Sequence, residues 1–273
     1  MGSLNPSRSA GYVLTAGLAV LFLFPLIWSL IASISPQAGT KQVSGFGLGN
    51  YVTLLHYGNG AVQYFVNSVV ISVVTVALTL AVSVVGGYAF ARFAFPGRDL
   101  LFLLTLAILM VPYGTLLIPL YVLLHAIGLQ NSILGLCLVL TLFQLPFATF
   151  MMRISFEAVP KELEESALVD GAGSLAVLRR IFLPSVRPGL ITVGLFAFLA
   201  AWNDFIAPLI LISDDKKSPL TLAIASLRQQ TTFTIDYGAT EAGVVVMAVP
   251  SLILFVILQR HYVRGFMSGA IKG

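Results

Sequence analysis

Residues able to do chemistry are few in this sequence, and most are gathered in one place. Between residues 153 and 189 stand Glu162, Glu164 and Glu165, then Asp170-Gly171, then Arg179-Arg180, with long apolar runs on either side. Asp204 stands alone inside a further apolar run, preceded by Trp202 and Asn203. The three histidines and the single Cys137 show no metal-ligand spacing, and His125 and His261 fall at the ends of runs. No nucleophile with a partner base and no metal cluster can be read from these residues. A G-x-x-x-x-G-K-[ST] loop, whose amides and lysine would hold nucleotide phosphates, does not occur in the sequence either. The polar residues therefore offer recognition and docking more than bond making.

The elements that must hold them are membrane spans. With 58% hydrophobic and 10% charged residues and a mean hydropathy of +0.96, the chain lies far from the roughly 25% charged content of soluble domains. A helix needs about 20 apolar residues to cross about 30 Å of hydrocarbon. Six runs are long enough: 11–34, 68–91, 100–124, 132–152, 190–212 and 242–259. Five carry no Asp, Glu, Lys or Arg, and the other carries Asp204 alone. Because the runs are continuous and do not alternate, the expected class is an all-α membrane protein. The first run exceeds a signal-peptide core of about 7–15 residues and no A-x-A follows it, so it is expected to be retained. A single transmembrane domain, 1–273, is expected, because the pieces between runs are too short for cores of their own. Cys137, inside the fourth run, reads as a small apolar filler.

Basic residues set the orientation. With the N-terminus inside, eleven of the 15 Lys and Arg fall on inner segments, and only Lys41, Lys216, Lys217 and Arg228 on outer ones. The positive-inside bias predicts that both termini and the 153–189 insert are cytoplasmic. It also accounts for the net charge of +4 without a nucleic-acid partner.

Local chemistry predicts two short helices within the insert. Pro160 suits a first helical position, and Glu162, Glu164 and Glu165 favour the positive end of that helix. Asp170-Gly171 should break it, and Ser174 should cap a second helix. In that second helix Leu175, Leu178 and Ile181 or Phe182 recur at helical spacing, with Arg179 and Arg180 near its negative end. Pro184 and Pro188 are expected to stop it and return the chain to the membrane. An amphipathic anchor lying on lipid should be basic on its polar face. Here acids roughly match bases, which favours docking to protein.

Glu165-Ser166-Ala167, then Gly171, then Ile181-Phe182-Leu183-Pro184 resemble the E-A-A-x-x-x-G-x(9)-I-x-L-P signature of the membrane subunits of binding-protein-dependent ABC importers. Ser166 replaces the usual alanine, and Asp170 holds its usual place before the glycine. "FARFAFPGR" at 90–98, "IGLQNS" at 127–132, "WNDF" at 202–205 and "VRGFMSGAIKG" from Val263 are similar to MalG-like permeases of the carbohydrate branch. The resemblance thus covers nearly the whole chain. It implies the type I ABC importer permease fold, with six spans in a bacterial inner membrane and both termini cytoplasmic. It implies a MalF-like sister permease, two cytoplasmic ATPase subunits and an extracytoplasmic sugar-binding protein. ATP and Mg would be held by the ATPase subunits, and this non-catalytic chain would bind no cofactor.

In that scheme the insert, about 153–189, docks in a cleft of the ATPase. Glu165, Asp170, Gly171 and Ala172 are the leading contacts, with Ser166, Ala167 and Leu178 completing the set; a plain turn at Asp170-Gly171 is the alternative. A carboxylate at a span centre costs on the order of 2.5–3.5 kcal/mol on insertion scales, so Asp204 should face a polar interior, a partner or water. As the fifteenth residue from Leu190 it falls in the outer half of its run. Trp202, Asn203 and Asp204 supply the aromatic face and hydrogen bonding that a sugar pathway needs, although successive residues do not share a helix face. Asn203 and Asp204 could equally hold neighbouring helices, or the two permeases, together. Tyr113 and Tyr121, beside Pro112 and Pro119, are further pathway candidates.

Two other function classes compete. An ion-coupled secondary transporter needs several ionisable groups or broken helices near the midplane. A membrane-embedded enzyme needs the catalytic groups found wanting above. Asp204 alone supports neither. With no Lys or Arg in any run, a neutral sugar fits better than a phosphate-bearing one.

Overall fold

The computed structural model describes residues 6–36, 45–229 and 236–270. Lys41 and residues 271–273 lie outside the described residues, as do the side chains of Arg8, Arg228, His261 and the rest of the C-terminal motif. In chain order the helices are α1 Pro6–Ile34, α2 Gly49–Leu55, α3 Ala61–Arg92, α4 Arg98–Ala107, α5 Tyr113–Ala126, α6 Ile133–Glu157 and α7 Lys161–Val169. They continue with α8 Ser174–Val177, α9 Leu183–Ser185, α10 Arg187–Asn203, α11 Ile206–Leu211, α12 Leu220–Gln229 and α13 Tyr237–Ala270. No strand occurs among the described residues.

Among the described residues, four stretches are long and apolar enough to cross a membrane unbroken: Leu14–Ile34, Ala61–Arg92, Ile133–Glu157 and Tyr237–Gln259. The third expected span, 100–124, is not one straight helix. Arg98–Met110 and Tyr113–Ala126 meet at 106°. The cause is Pro112, which has no N–H to give the preceding turn and forces Val111 into extended backbone (φ −81°, ψ 127°). The fifth expected span, 190–212, is also interrupted. α10 ends at Asn203, Asp204 is extended (φ −68°, ψ 133°), and α11 restarts at Ile206.

The chain divides into two units. The first comprises Met1–Val62 and Ala223–Pro250. There Asn50, fully buried, donates from Nδ2 to the carbonyls of Ser33 and Ser35 at 2.9 Å each, closing the end of α1. Gly238 packs so closely on Asn50 that a Cβ would stand 2.5 Å from its Cγ. Leu54, Ala61 and Ala242 make the small core of this unit.

The second unit comprises Gln63–Leu222 and Ser251–Gly273. One core cluster joins Ile71 of α3, Leu117 and Leu124 of α5, Leu136, Cys137, Val139 and Leu140 of α6, and Ala207 and Leu211 of α11. Cys137 is fully buried within it, as a filler should be. A second cluster joins Tyr88 of α3, Met152 and Phe156 of α6, and Val177, Leu178, Phe182 and Val186 of the insert. Along α3, Ser68, Ser72, Thr75, Thr79 and Ser83 are all buried and lie on one helical face. Small residues of this kind let helices approach closely where no hydrophobic effect drives them together. Gly87 marks a close approach of α3 to α6, since a Cβ there would stand 2.6 Å from Cβ of Met152 and 2.9 Å from the amide nitrogen of Arg153.

Candidate functional site

The insert is a two-helix shelf with a polar and apolar outer side and an apolar root. α7 begins after Pro160, which occupies the capping position one residue ahead of the expected site. Glu162 and Glu164 lie in its first turn. Asp170 ends it, and Gly171 takes φ +81°. The amides of Gly171 and Ala172 then bond back to the carbonyls of Leu168 (3.0 Å) and Ala167 (2.9 Å), the paired closure that a left-handed residue permits. The break at Asp170-Gly171 is therefore a built helix stop followed at once by a new helix.

Two local expectations are corrected. Ser174 is the first residue of α8 and not its cap; the capping position is Gly173, with no side-chain bond. Pro184 does not stop the second helix. The backbone widens into a π turn over Leu178–Phe182, and the rod runs on through Leu183–Ser185. The bend comes at Val186, where Ser174–Ser185 meets Arg187–Asn203 at 79°. A wider turn leaves room for the ring that would strike a standard α-helical carbonyl.

Of the nominated coupling residues, Glu165, Ser166, Asp170 and Gly171 are exposed, and Ala167 and Ala172 are half-buried. Ala167, Asp170, Gly171 and Ala172 line a hollow of about 530 Å³ with Ala176, Arg180 and Ile181. Leu178, by contrast, is only 8% exposed and belongs to the apolar root. Leu168, Val169 and Leu175 stand out instead, with Val169 at 87% exposure and Leu175 at 69%. Leu175 was expected to share an apolar stripe with Leu178 but stands exposed while Leu178 is buried, and Leu168 and Val169, beside the polar residues of the signature, were not among the expected contacts.

A second missed residue is Arg92, the last of α3. Its guanidinium reaches the carbonyls of Phe156 (2.6 Å) and Val159 (2.5 Å) and pairs with Glu164 at 3.7 Å. It also stands 4.6 Å from the centre of the Phe182 ring. The available signal was an arginine closing a long apolar run.

Asp204 and Tyr113, nominated separately, meet. The Tyr113 hydroxyl donates to Asp204 Oδ2 at 2.6 Å, and the Ala207 amide donates to Oδ1 at 2.9 Å. Asp204 thereby caps α11, and its backbone carbonyl accepts from Thr221 Oγ1 at 2.8 Å. Trp202 is 1% exposed, stacked on Phe198 and edge-on to Phe65. Exposed Asn203 donates to the Leu199 carbonyl of its own helix. Tyr121, on α5, is 43% exposed. The structure thus joins Tyr113 to Asp204 and turns the Trp202 ring into the protein.

The segment after α11 is stitched down. Asn131, at φ +48°, accepts the amides of Ser213 and Asp214 on Oδ1, and its carbonyl accepts from Lys217 Nζ at 2.9 Å. Asn67 Nδ2 donates to the carbonyls of Lys216 and Ser218, and Tyr64 donates to Asp215. Asn131 lies within the "IGLQNS" motif, whose next residue, Ser132, caps α6 by accepting the Gly135 amide at 3.0 Å. Among the described residues no His, Cys, Asp and Glu are grouped as a metal site.

Residues 83–267 match the family model described as binding-protein-dependent transport system inner membrane component. The diacetylchitobiose uptake system permease protein NgcG of Streptomyces coelicolor is 34% identical over 93% of this chain and 85% of its own length. The arabinooligosaccharides transport system permease protein AraQ of Halalkalibacterium halodurans is 32% identical over 96% of both chains. Among solved structures, a bacterial ABC transporter that imports the acidic polysaccharide alginate superposes with a TM-score of 0.81 at 21% identity. That superposition covers 96% of this chain and 100% of the other, which establishes the shared fold.

Proposed function

The chain belongs to the family of binding-protein-dependent transport system inner membrane components, and from that premise we propose that it is a permease subunit of an ATP-driven importer for a neutral sugar or oligosaccharide. A second, homologous permease completes the pathway, and an extracytoplasmic binding protein delivers the substrate. Two cytoplasmic ATPase subunits, which hold ATP and Mg, close on nucleotide and open the spans outward; hydrolysis resets them. Both termini and the insert face the cytoplasm, in keeping with the excess of Lys and Arg there.

The observation that carries this reading is the two-sided insert. Its root, Val177, Leu178 and Phe182, is packed onto the ends of α3 and α6, while Glu165, Asp170, Val169 and Leu175 stand free on its other side. Such an element takes a push on one side and delivers it to helices on the other. Tyr113, Tyr121, Asn203 and Asp204 are the pathway residues of this reading, with Trp202 packed into the protein behind the end of α10. The names of relatives, diacetylchitobiose and arabinooligosaccharide permeases, support a carbohydrate. The absence of Lys and Arg from the apolar runs supports a neutral one.

The test is reconstitution of the complex in proteoliposomes. Sugar should accumulate only with ATP, the ATPase subunits and the binding protein present. Accumulation by this chain alone, driven by an ion gradient without ATP, would overturn the reading.

A further inference from the structure

The contacts of Arg92 extend the coupling device beyond the insert. Its side chain is only 4% exposed, and that of Glu164 is 21% exposed. One guanidinium therefore touches four elements. It grows from the last residue of α3, donates to the last turn of α6 at Phe156 and to Val159 beyond that helix, pairs with α7 through Glu164, and faces Phe182 in the π turn. The Phe156 carbonyl also accepts the Val159 amide at 3.2 Å, so Arg92 clamps the turn that closes α6, and a cation suits the negative end of that helix.

The arrangement constrains movement. A buried charge that loses its partners is costly, because water does not replace them. If α7 were displaced while α3 and the end of α6 stayed in place, Arg92 would lose either Glu164 or its carbonyls. The cheaper path is for all of them to move together. Apolar contact alone, such as Phe182 against Tyr88 and Phe156, is non-directional and lets surfaces slide. The planar fork of arginine fixes direction as well as distance, which the single ammonium of lysine does not.

We propose that Arg92 is the positioning residue through which displacement of the insert reaches α3 and the end of α6, so that the Arg92–Glu164 pair sets how tightly ATP hydrolysis is coupled to transport. The proposal rests on the reading of the insert as the ATPase docking segment.

The experiment measures sugar accumulated per ATP hydrolysed in proteoliposomes of the full complex, for wild type, Arg92→Lys and Glu164→Gln. The amount of ATPase subunit copurifying with each variant is measured alongside. Glu164 lies at the rim of the contact, so Glu164→Gln folds even where an Arg92 variant fails to assemble. The expected result is a fall of about tenfold in sugar per ATP for Glu164→Gln, within the range of measured coupling effects, with ATPase subunits retained. Arg92→Lys, where it assembles, falls with it, because it keeps the charge and loses the fork. A wild-type ratio in Glu164→Gln overturns the proposal. Failure of the wild-type complex itself to accumulate sugar with ATP removes the functional reading and this proposal with it.

Discussion

Tyr113 and Asp204, 91 residues apart, share a 2.6 Å hydrogen bond that locks two helix interruptions to each other. Tyr113 opens α5 directly after Pro112, and Asp204 is the first residue past α10. The carboxylate also caps α11 through the Ala207 amide, so both of its oxygens are engaged inside this chain. A carboxylate held in this way has its burial compensated by the fold itself, whatever it contributes to a pathway.

Replacement separates these roles. Asp204→Ala removes the cap and the acceptor of Tyr113 together, and should cost about 1–2 kcal/mol, read as a lower melting temperature of the detergent-purified complex. Asp204→Asn keeps an oxygen for the Ala207 amide and should cost less. Should Asp204→Asn melt like wild type yet need several times more sugar for half-maximal uptake, the side chain contacts substrate.

The exposed crest of the insert should be a contact surface and its root a folding element. Val169→Asp and Leu175→Asp place charge on side chains that are 87% and 69% exposed, so melting should not change. Copurifying ATPase subunit should fall about tenfold if either is an anchor of the interface. Leu178→Asp buries a charge within the second cluster and should prevent accumulation of folded protein. Full ATPase recovery with both crest variants would place the contact elsewhere.

Gly171 tests the joint between the two helices. At φ +81° a Cβ would meet nothing within 4 Å, so Gly171→Ala is penalised through its backbone alone, by about 1 kcal/mol. Gly171→Trp adds a bulky ring beside the hollow that Asp170 and Ala172 help to line. Sugar moved per ATP should drop modestly in Gly171→Ala, and much further in Gly171→Trp and in Glu165→Lys, while membrane insertion stays normal. Unchanged uptake and unchanged substrate-stimulated hydrolysis in Gly171→Trp and Glu165→Lys would refute the assigned contact.

The parts that could be read from sequence are those governed by neighbours along the chain. Apolar runs announced the long helices, and Asp170-Gly171 announced a helix stop because glycine, free of Cβ strain, is the residue best suited to a left-handed closure. Pro112 was visible as a disturbance, but a 106° bend depends on what the two arms pack against. Pro184 looked like a terminator, and the backbone escaped by widening into a π turn. Arg92 with Glu164, and Tyr113 with Asp204, were beyond reach because each pair is brought together by packing across distant segments. Trp202 was grouped with its polar neighbours by adjacency, whereas its ring stacks on Phe198, one turn back along α10.

Asn131 separates backbone from side-chain effects at a single position. It is the sole non-glycine residue with positive φ among the described residues. Its Oδ1 accepts the amides of Ser213 and Asp214 at 3.0 and 3.1 Å. Asn131→Asp keeps the acceptor, and asparagine and aspartate both tolerate the left-handed region, so it should stay close to wild type. Asn131→Gly keeps the backbone and loses two hydrogen bonds, for about 1–2 kcal/mol. Asn131→Ala loses the bonds and adds left-handed strain of about 1 kcal/mol more. The expected order of melting temperature is therefore wild type, Asp, Gly, Ala. If alanine proved better tolerated than glycine, backbone conformation would not be what selects asparagine in this motif.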